Sequence, residues 1–256
     1  MPSTLLISQR FTDHWIWADI PARLTGHSQV SFYELPEAAR CGSAPVLDEI
    51  RALVPAGRGR FDVVAGAEDA AQLAVGLAYD GLAGGLVLFQ PTMDGIPEEL
   101  EPFDFSGLEE QLHRYAPLLA AVNEPDPARW QRVVAEVVGE EIGEHLPPSD
   151  AALVQDVLST HAGEVQQELQ RMVAAHARGE EPAVPAEGER WIDRLRQLSV
   201  PVVIMSTQRA WRPAEVLAAR APHGAAVLAR GETGMPWLED KDTTIAVLMG
   251  MLDRCG

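Results

Sequence analysis

The order of apolar runs along the chain predicts an α/β fold, a mostly parallel sheet flanked by helices. Three observations carry that expectation. Six short, continuous apolar runs recur, the pattern of strands buried on both faces. Helical segments separate them. One acid-rich stretch, residues 91–190, reads as helix throughout and interrupts the alternation. The expected organisation is a core of 1–90 and 191–256 with an inserted all-helical lid at 91–190. A length of 256 residues suits one domain carrying such an insert.

The first strand is expected at Leu5-Leu6-Ile7 and the second at Val30–Tyr33. Phe61–Gly66 is the third and ends in glycine; Gly85–Phe89 is the fourth. Val200–Met205 is the fifth, and the weaker run Ala225–Ala229 the sixth. Helices are expected near 15–24, 45–53, 68–80, 187–198, 213–220 and 240–254. Within the insert, Ser106 with Glu109 forms a capping box. Asp126-Pro127 reads as an N-cap followed by proline at the first helical position. Ser149 or Asp150 caps a further helix, and Val165, Leu169, Met172 and Val173 fall at helical spacing. Glu180 to Pro185 reads as a linker.

The chain carries 38 acids against 20 Lys and Arg, a formal charge of −18. Residues 91–190 hold 21 of the acids and only 6 of the bases, so the body is nearly neutral. Nucleic-acid binding needs cations that displace counterions from phosphate, and no basic stripe exists. Docking on an anionic membrane is disfavoured for the same reason. No apolar run approaches ~20 residues, so no bilayer span is expected. No basic n-region leads into an apolar h-region, so no signal peptide is expected. Cys41 and Cys255 stand far apart and suggest neither a disulfide framework nor a metal knuckle. The expected location is the reducing cytoplasm. Lys241 is the sole lysine, and with abundant Ala and Pro this suggests a GC-rich bacterial genome.

Local matches in the right order then resemble the α/β-hydrolase fold superfamily across most of the chain. Leu5 to Trp17 is similar to that family's first strand and oxyanion loop, with His14-Trp15-Ile16-Trp17 at its end and Ser8-Gln9 in place of His-Gly. Phe32 to Pro36 is similar to a Tyr-Asp-Leu-Pro segment. Phe61 to Ala74 resembles the strand, elbow and helix of the nucleophile, and Gly85 to Pro91 the following strand. Met235 to Asp240 resembles the segment after the catalytic histidine. The family places its helical lid where this chain has its insert.

The resemblance implies a divergent member without the Ser-Asp-His triad. In the G-x-S-x-G turn the nucleophile sits on a strained strand-to-helix corner. Gly66-Ala67-Glu68-Asp69-Ala70 occupies that turn, so Glu68 stands at the nucleophile position. Ser206 to Arg212 offers no acid: Ala210 or Arg209 falls on that position, depending on register. Gly234 replaces the histidine, and His223 lies about ten residues early in an expected surface turn. An ester on Glu68 would need a His-activated water, and no histidine is placed for it.

Glu68 is the candidate acid/base. A helix N-terminus favours its ionised form, and burial favours the neutral one. Against this stands a plain ion pair with Arg10 or Arg209. Backbone N–H groups of Arg10 and Asp69 are the expected oxyanion-type donors. Ser8, Gln9, His14, Arg209, Trp211, Gly234 and Met235 are the expected substrate-binding set. Trp15, Trp17 and Trp237 are expected to pack loops on the core. His113, His145, His161 and His176 lack metal-ligand spacing, so no metal is expected, and no cofactor is. Gly57-Arg58-Gly59 precedes a strand, whereas a dinucleotide loop would follow one.

The reading expected first is a non-hydrolytic enzyme acting on a neutral, largely apolar small molecule. Cyclisation, isomerisation or elimination in bacterial secondary metabolism fits it. A pseudo-hydrolase that binds a small ligand or protein partner is the second reading. A hydrolase with a displaced triad is the third. The expected partner is a small molecule, with neither nucleic acid nor membrane; the sequence leaves the oligomeric state open.

Overall fold

The computed structural model describes residues 1–9, 12, 14–35, 44–91, 113, 116–178, 186–232 and 234–256. The chain divides into two compact units, Met1–Ile96 with Pro185–Gly256, and Pro97–Val184.

The first unit is built on six parallel strands. They are β1 (Ser3–Ser8), β2 (Gln29–Glu34), β3 (Val63–Ala67), β4 (Leu86–Phe89), β5 (Val202–Ser206) and β6 (Gly224–Leu228). All six expected runs form strands, in the order β2-β1-β3-β4-β5-β6. β1, β3 and β4 are buried along their whole length, which is why they read as unbroken apolar runs. β2 and β6 lie at the edges and are partly exposed.

Alternation along each strand sends side chains to opposite faces. Leu5, Ile7, Val64, Leu86, Leu88, Val202 and Ile204 join one core. Helices α2 (Ala44–Leu53), α3 (Ala70–Tyr79), α7 (Ala186–Gln197) and α8 (Trp211–Arg220) contribute to that core through Ile50, Leu73, Trp191, Leu195 and Leu217. Phe89 and Met205 serve the other face. Phe89 meets Trp17 and Trp237 at ring-centroid distances of 5.6 and 6.0 Å, and Thr244 reaches Met205 Sδ at 3.6 Å. Helices α1 (Ile20–Leu24), α9 (Pro236–Glu239) and α10 (Lys241–Cys255) belong to that side, and α10 packs on β3 and β4.

The segment expected as one helix over 15–24 is broken. A 3₁₀ turn, His14–Trp17, precedes α1, because Ala18 takes a φ of +48° and Pro21 opens a new helix rather than extending the old one. Trp17 and Trp237 are buried as expected, but Trp15 is 60 % exposed, since a tight turn cannot bury neighbouring rings on one side. Asp240 separates α9 from α10 and accepts a bond from Thr243 N at 3.2 Å, capping the terminal helix.

In the second unit the described helices are α4 (Pro127–His145), α5 (Pro148–Thr160) and α6 (Ala162–Ala177). Asp126 accepts from Ala128 N at 3.0 Å, so the expected N-cap forms. The cap expected from Ser149 or Asp150 does not: α5 already starts at Pro148, with Pro147 before it, so both residues lie inside the first turn. Two prolines set the entry dihedral one step earlier than a polar cap would. Leu118, Trp130, Val134, Val137 and Ala162 form this unit's core, where Trp130 Nε1 donates to the carbonyl of Ala162. The Ser106–Glu109 capping box and the 180–185 linker lie outside the described residues. Among the described residues no helix is long and apolar enough to cross a membrane.

Candidate active site

The strand order reverses its direction of growth at β1 and β3, and ligands of open α/β sheets bind beyond the carboxyl ends of the strands at such a point. The register fixes what emerges there. Ile7 lies beside Gly66, Ala67 beside Phe89, and Phe89 beside Met205. Ser8-Gln9, Glu68, Gln90 and Ser206-Thr207 therefore leave the sheet side by side.

Glu68 occupies the corner between β3 and α3 with a φ of +48°. Its N–H donates to Phe89 O at 2.8 Å, and its carbonyl accepts from Ala71 N at 3.1 Å. One backbone unit thus ends the strand and starts the helix. Left-handed φ at a non-glycine residue costs of order 1 kcal/mol and persists where the surroundings over-determine it. Gly66 makes the corner possible: a β-carbon there would stand 2.7 Å from Ala70 O.

The Glu68 carboxyl makes no hydrogen bond or ion pair with the described residues. Protein atoms surround it, although part of the residue stays accessible. Burial pushes the carboxyl up to about 7, and the charge of Asp69 adds to the effect. No cation among the described residues draws the value back down. The arginine pairs weighed from sequence find no support there: Arg10 lies outside the described residues, as does the side chain of Arg209.

Gly234 comes next to this acid. A β-carbon at Gly234 would lie 3.7 Å from Glu68 Oε1 and 3.0 Å from Gln90 Nε2. The loop that delivers it is held by carboxylates: Arg230 N donates to Asp240 at 3.0 Å and Glu232 N to Glu239 at 2.7 Å. Met235 stands just before α9 and accepts from Leu238 N at 2.9 Å.

Gln90 is the residue that sequence reasoning missed. It follows β4 with a φ of +40°, and its N–H donates to Met205 O at 2.8 Å. Its Oε1 accepts from Ser206 Oγ at 3.4 Å and Thr207 Oγ1 at 3.2 Å. The signal was a polar residue placed directly after the apolar strand Gly85–Phe89.

Ser8 is fully buried, and its Oγ finds no hydrogen-bond partner among the described residues; nor does the buried Oε1 of Gln9. Both are polar groups left open at the end of β1. Asp69 follows Glu68 at the start of α3, where the expected donor N–H lies. Two further members of the expected set have packing contacts of their own. His14 Nδ1 lies 2.9 Å from Glu34 Oε1 at the end of β2, with its ring against Trp15 and Phe32. Trp211 is half-buried and packs against the core of the α3 face. His223 is exposed in a turn. Among the described residues no cluster of His, Cys, Asp and Glu is arranged to hold a metal ion.

No protein-family model and no curated protein sequence matches the chain. Solved structures do. MenH from S. aureus is similar with a TM-score of 0.66 at 16 % identity, over 98 % of this chain and 94 % of that one. The enol-lactonase from Burkholderia xenovorans LB400 gives 0.65 at 16 %, over 98 % and 91 %. An α/β hydrolase from Sphaerobacter thermophilus DSM 20745 gives 0.56 at 19 %, over 98 % and 92 %. At such identities the likeness is one of architecture, that of a mostly parallel sheet flanked by helices: the chain has the α/β-hydrolase fold.

Proposed function

We propose that this protein is a non-hydrolytic enzyme of the α/β-hydrolase fold, with Glu68 as its acid/base, acting on a neutral, largely apolar small molecule. Cyclisation, isomerisation or elimination is the reaction class. The observation that carries the reading is a carboxyl at the elbow corner, unpaired among the described residues and raised to about 7. An acid whose pKa lies near the working pH exchanges protons most effectively. A residue 68 that attacked as a nucleophile would need a base to release its ester, and the residue beside it is Gly234. The lactone and other substrates named for similar structures belong to those proteins.

The test follows α-proton exchange of small ketones in D₂O by proton NMR. The wild type accelerates exchange, and the rate rises as pH passes through about 7, because only the ionised carboxylate accepts a proton. Glu68→Gln lowers the rate by about 10²-fold or more while the fold persists. An equal rate in that variant would sink the acid/base role. A fluorophosphonate probe for activated serine leaves the protein unlabelled; clean labelling would return it to serine hydrolysis. Ketone binding without exchange in the wild type would favour the ligand-binding reading.

A further inference from the structure

We propose that Gln90 is the ligand-orienting residue of this site, its amide nitrogen held to donate to a ketone-type carbonyl oxygen beside Glu68. The inference deepens the acid/base reading of Glu68 and rests on it for the chemical step, though not for binding.

Three contacts make the amide directional. The backbone N–H of Gln90 is tied to β5 through Met205 O. Its Oε1 accepts from two buried hydroxyls, Ser206 and Thr207, which engages the acceptor side of the amide. Nε2 is thereby turned the other way and has no hydrogen-bond partner among the described residues. It faces the direction in which a side chain at 234 would grow, 3.0 Å from that β-carbon position, and Glu68 Oε1 lies 3.7 Å from the same point. Gly234 thus sets its bare α-carbon against one donor and one acid, where a β-carbon would crowd the amide. Glu68 and Gln90 both carry left-handed φ on neighbouring strands, and such strain collects where ligands are gripped.

The chemistry of these two groups selects the ligand. A free amide N–H₂ offers donors only, so the ligand must bring an acceptor. A carboxylate would meet the ionised Glu68, and an ammonium would set N–H against N–H at Gln90. A neutral carbonyl suits both neighbours. With a ketone oxygen on Gln90, Glu68 takes the proton from the adjacent carbon. The C–H electron pair becomes the new C=C bond, and the carbonyl π pair moves to oxygen, where the Gln90 donor stabilises it. In a ketone with a β,γ double bond, return of the proton from Glu68 to the γ-carbon moves the C=C bond into conjugation and restores the carbonyl, which completes an isomerisation.

The test uses cyclohexanone labelled with ¹³C at the carbonyl, and methylenecyclohexane as a control of the same shape without the acceptor. In the wild type and in Glu68→Gln, the bound ketone shows a downfield carbonyl shift, and the hydrocarbon binds more weakly. Gln90→Glu keeps an oxygen for Ser206 and Thr207 but replaces the donor by an acceptor. There the shift is lost and ketone affinity falls about tenfold. Ser206→Ala, which frees the amide without touching the ligand, produces a partial loss and stands in if Gln90→Glu fails to fold. Ketone shift and affinity unchanged in the Gln90 and Ser206 variants, or no ketone bound to the wild type at all, overturns the proposal. A ketone shift that depends on Gln90 but comes without proton exchange retains this inference and removes the role of Glu68.

Discussion

Replacing Glu68 by glutamine is expected to stabilise the protein at alkaline pH by about 3 kcal/mol relative to the wild type. The cause is the buried acid. In the unfolded chain it titrates near 4.5, and in the folded chain burial and Asp69 raise it to about 7. Below pH 4.5 the group is neutral in both states and the folded state keeps its full stability. Between 4.5 and about 7 the unfolded chain releases a proton that the folded chain retains, so unfolding becomes easier by about 1.4 kcal/mol per pH unit. Above that window the loss is complete. Glutamine is neutral throughout and carries no such dependence, while keeping the size of the side chain. Urea melts of both proteins at about pH 5 and about pH 9 measure the difference. Parallel stability profiles for the two would show that Glu68 is not a buried acid.

Gly66→Ala is expected to destabilise the fold by about 3 kcal/mol, lowering the melting temperature by roughly 6–12 °C. The added methyl would stand 2.7 Å from Ala70 O and 2.9 Å from Ala70 C. Both are backbone atoms at the start of α3, so relief requires moving the helix against the sheet. Gly59→Ala is the control, because nothing lies within 4 Å of its β-carbon position; there the loss of unfolded-chain freedom leaves the protein unchanged or slightly more stable. Thermal unfolding of the two variants reads the contrast. Equal melting temperatures would mean that the corner does not depend on close approach of β3 and α3.

Much of the architecture was legible because burial is written into composition locally. A parallel strand covered on both faces must be apolar at every position, so Leu5-Leu6-Ile7 and Leu86–Phe89 announce themselves. The corner was legible through the resemblance of Phe61 to Ala74 to the strand, elbow and helix of the α/β-hydrolase fold, with small Gly66 and Ala70 about Glu68. The helix start at Pro148 and the exposure of Trp15 were not legible. They depend on competition between neighbouring turn signals and on which side of a turn meets the core.

The sequence by itself determined the α/β alternation, the place of the acidic helical stretch and the presence of an acid at the elbow. The first two follow from the spacing of nearby residues, and the third from the resemblance of Phe61 to Ala74 to the nucleophile elbow. Only the tertiary structure decided what that acid faces. Gln90 and Ser206 are 116 residues apart, and they meet because β4 and β5 pair in parallel and end together. Gly234 reaches them on a loop held by Glu239 and Asp240. The protonation of Glu68 was decided in the same way. Burial raises its carboxyl, and the number of protein atoms packed around it is something no local pattern encodes.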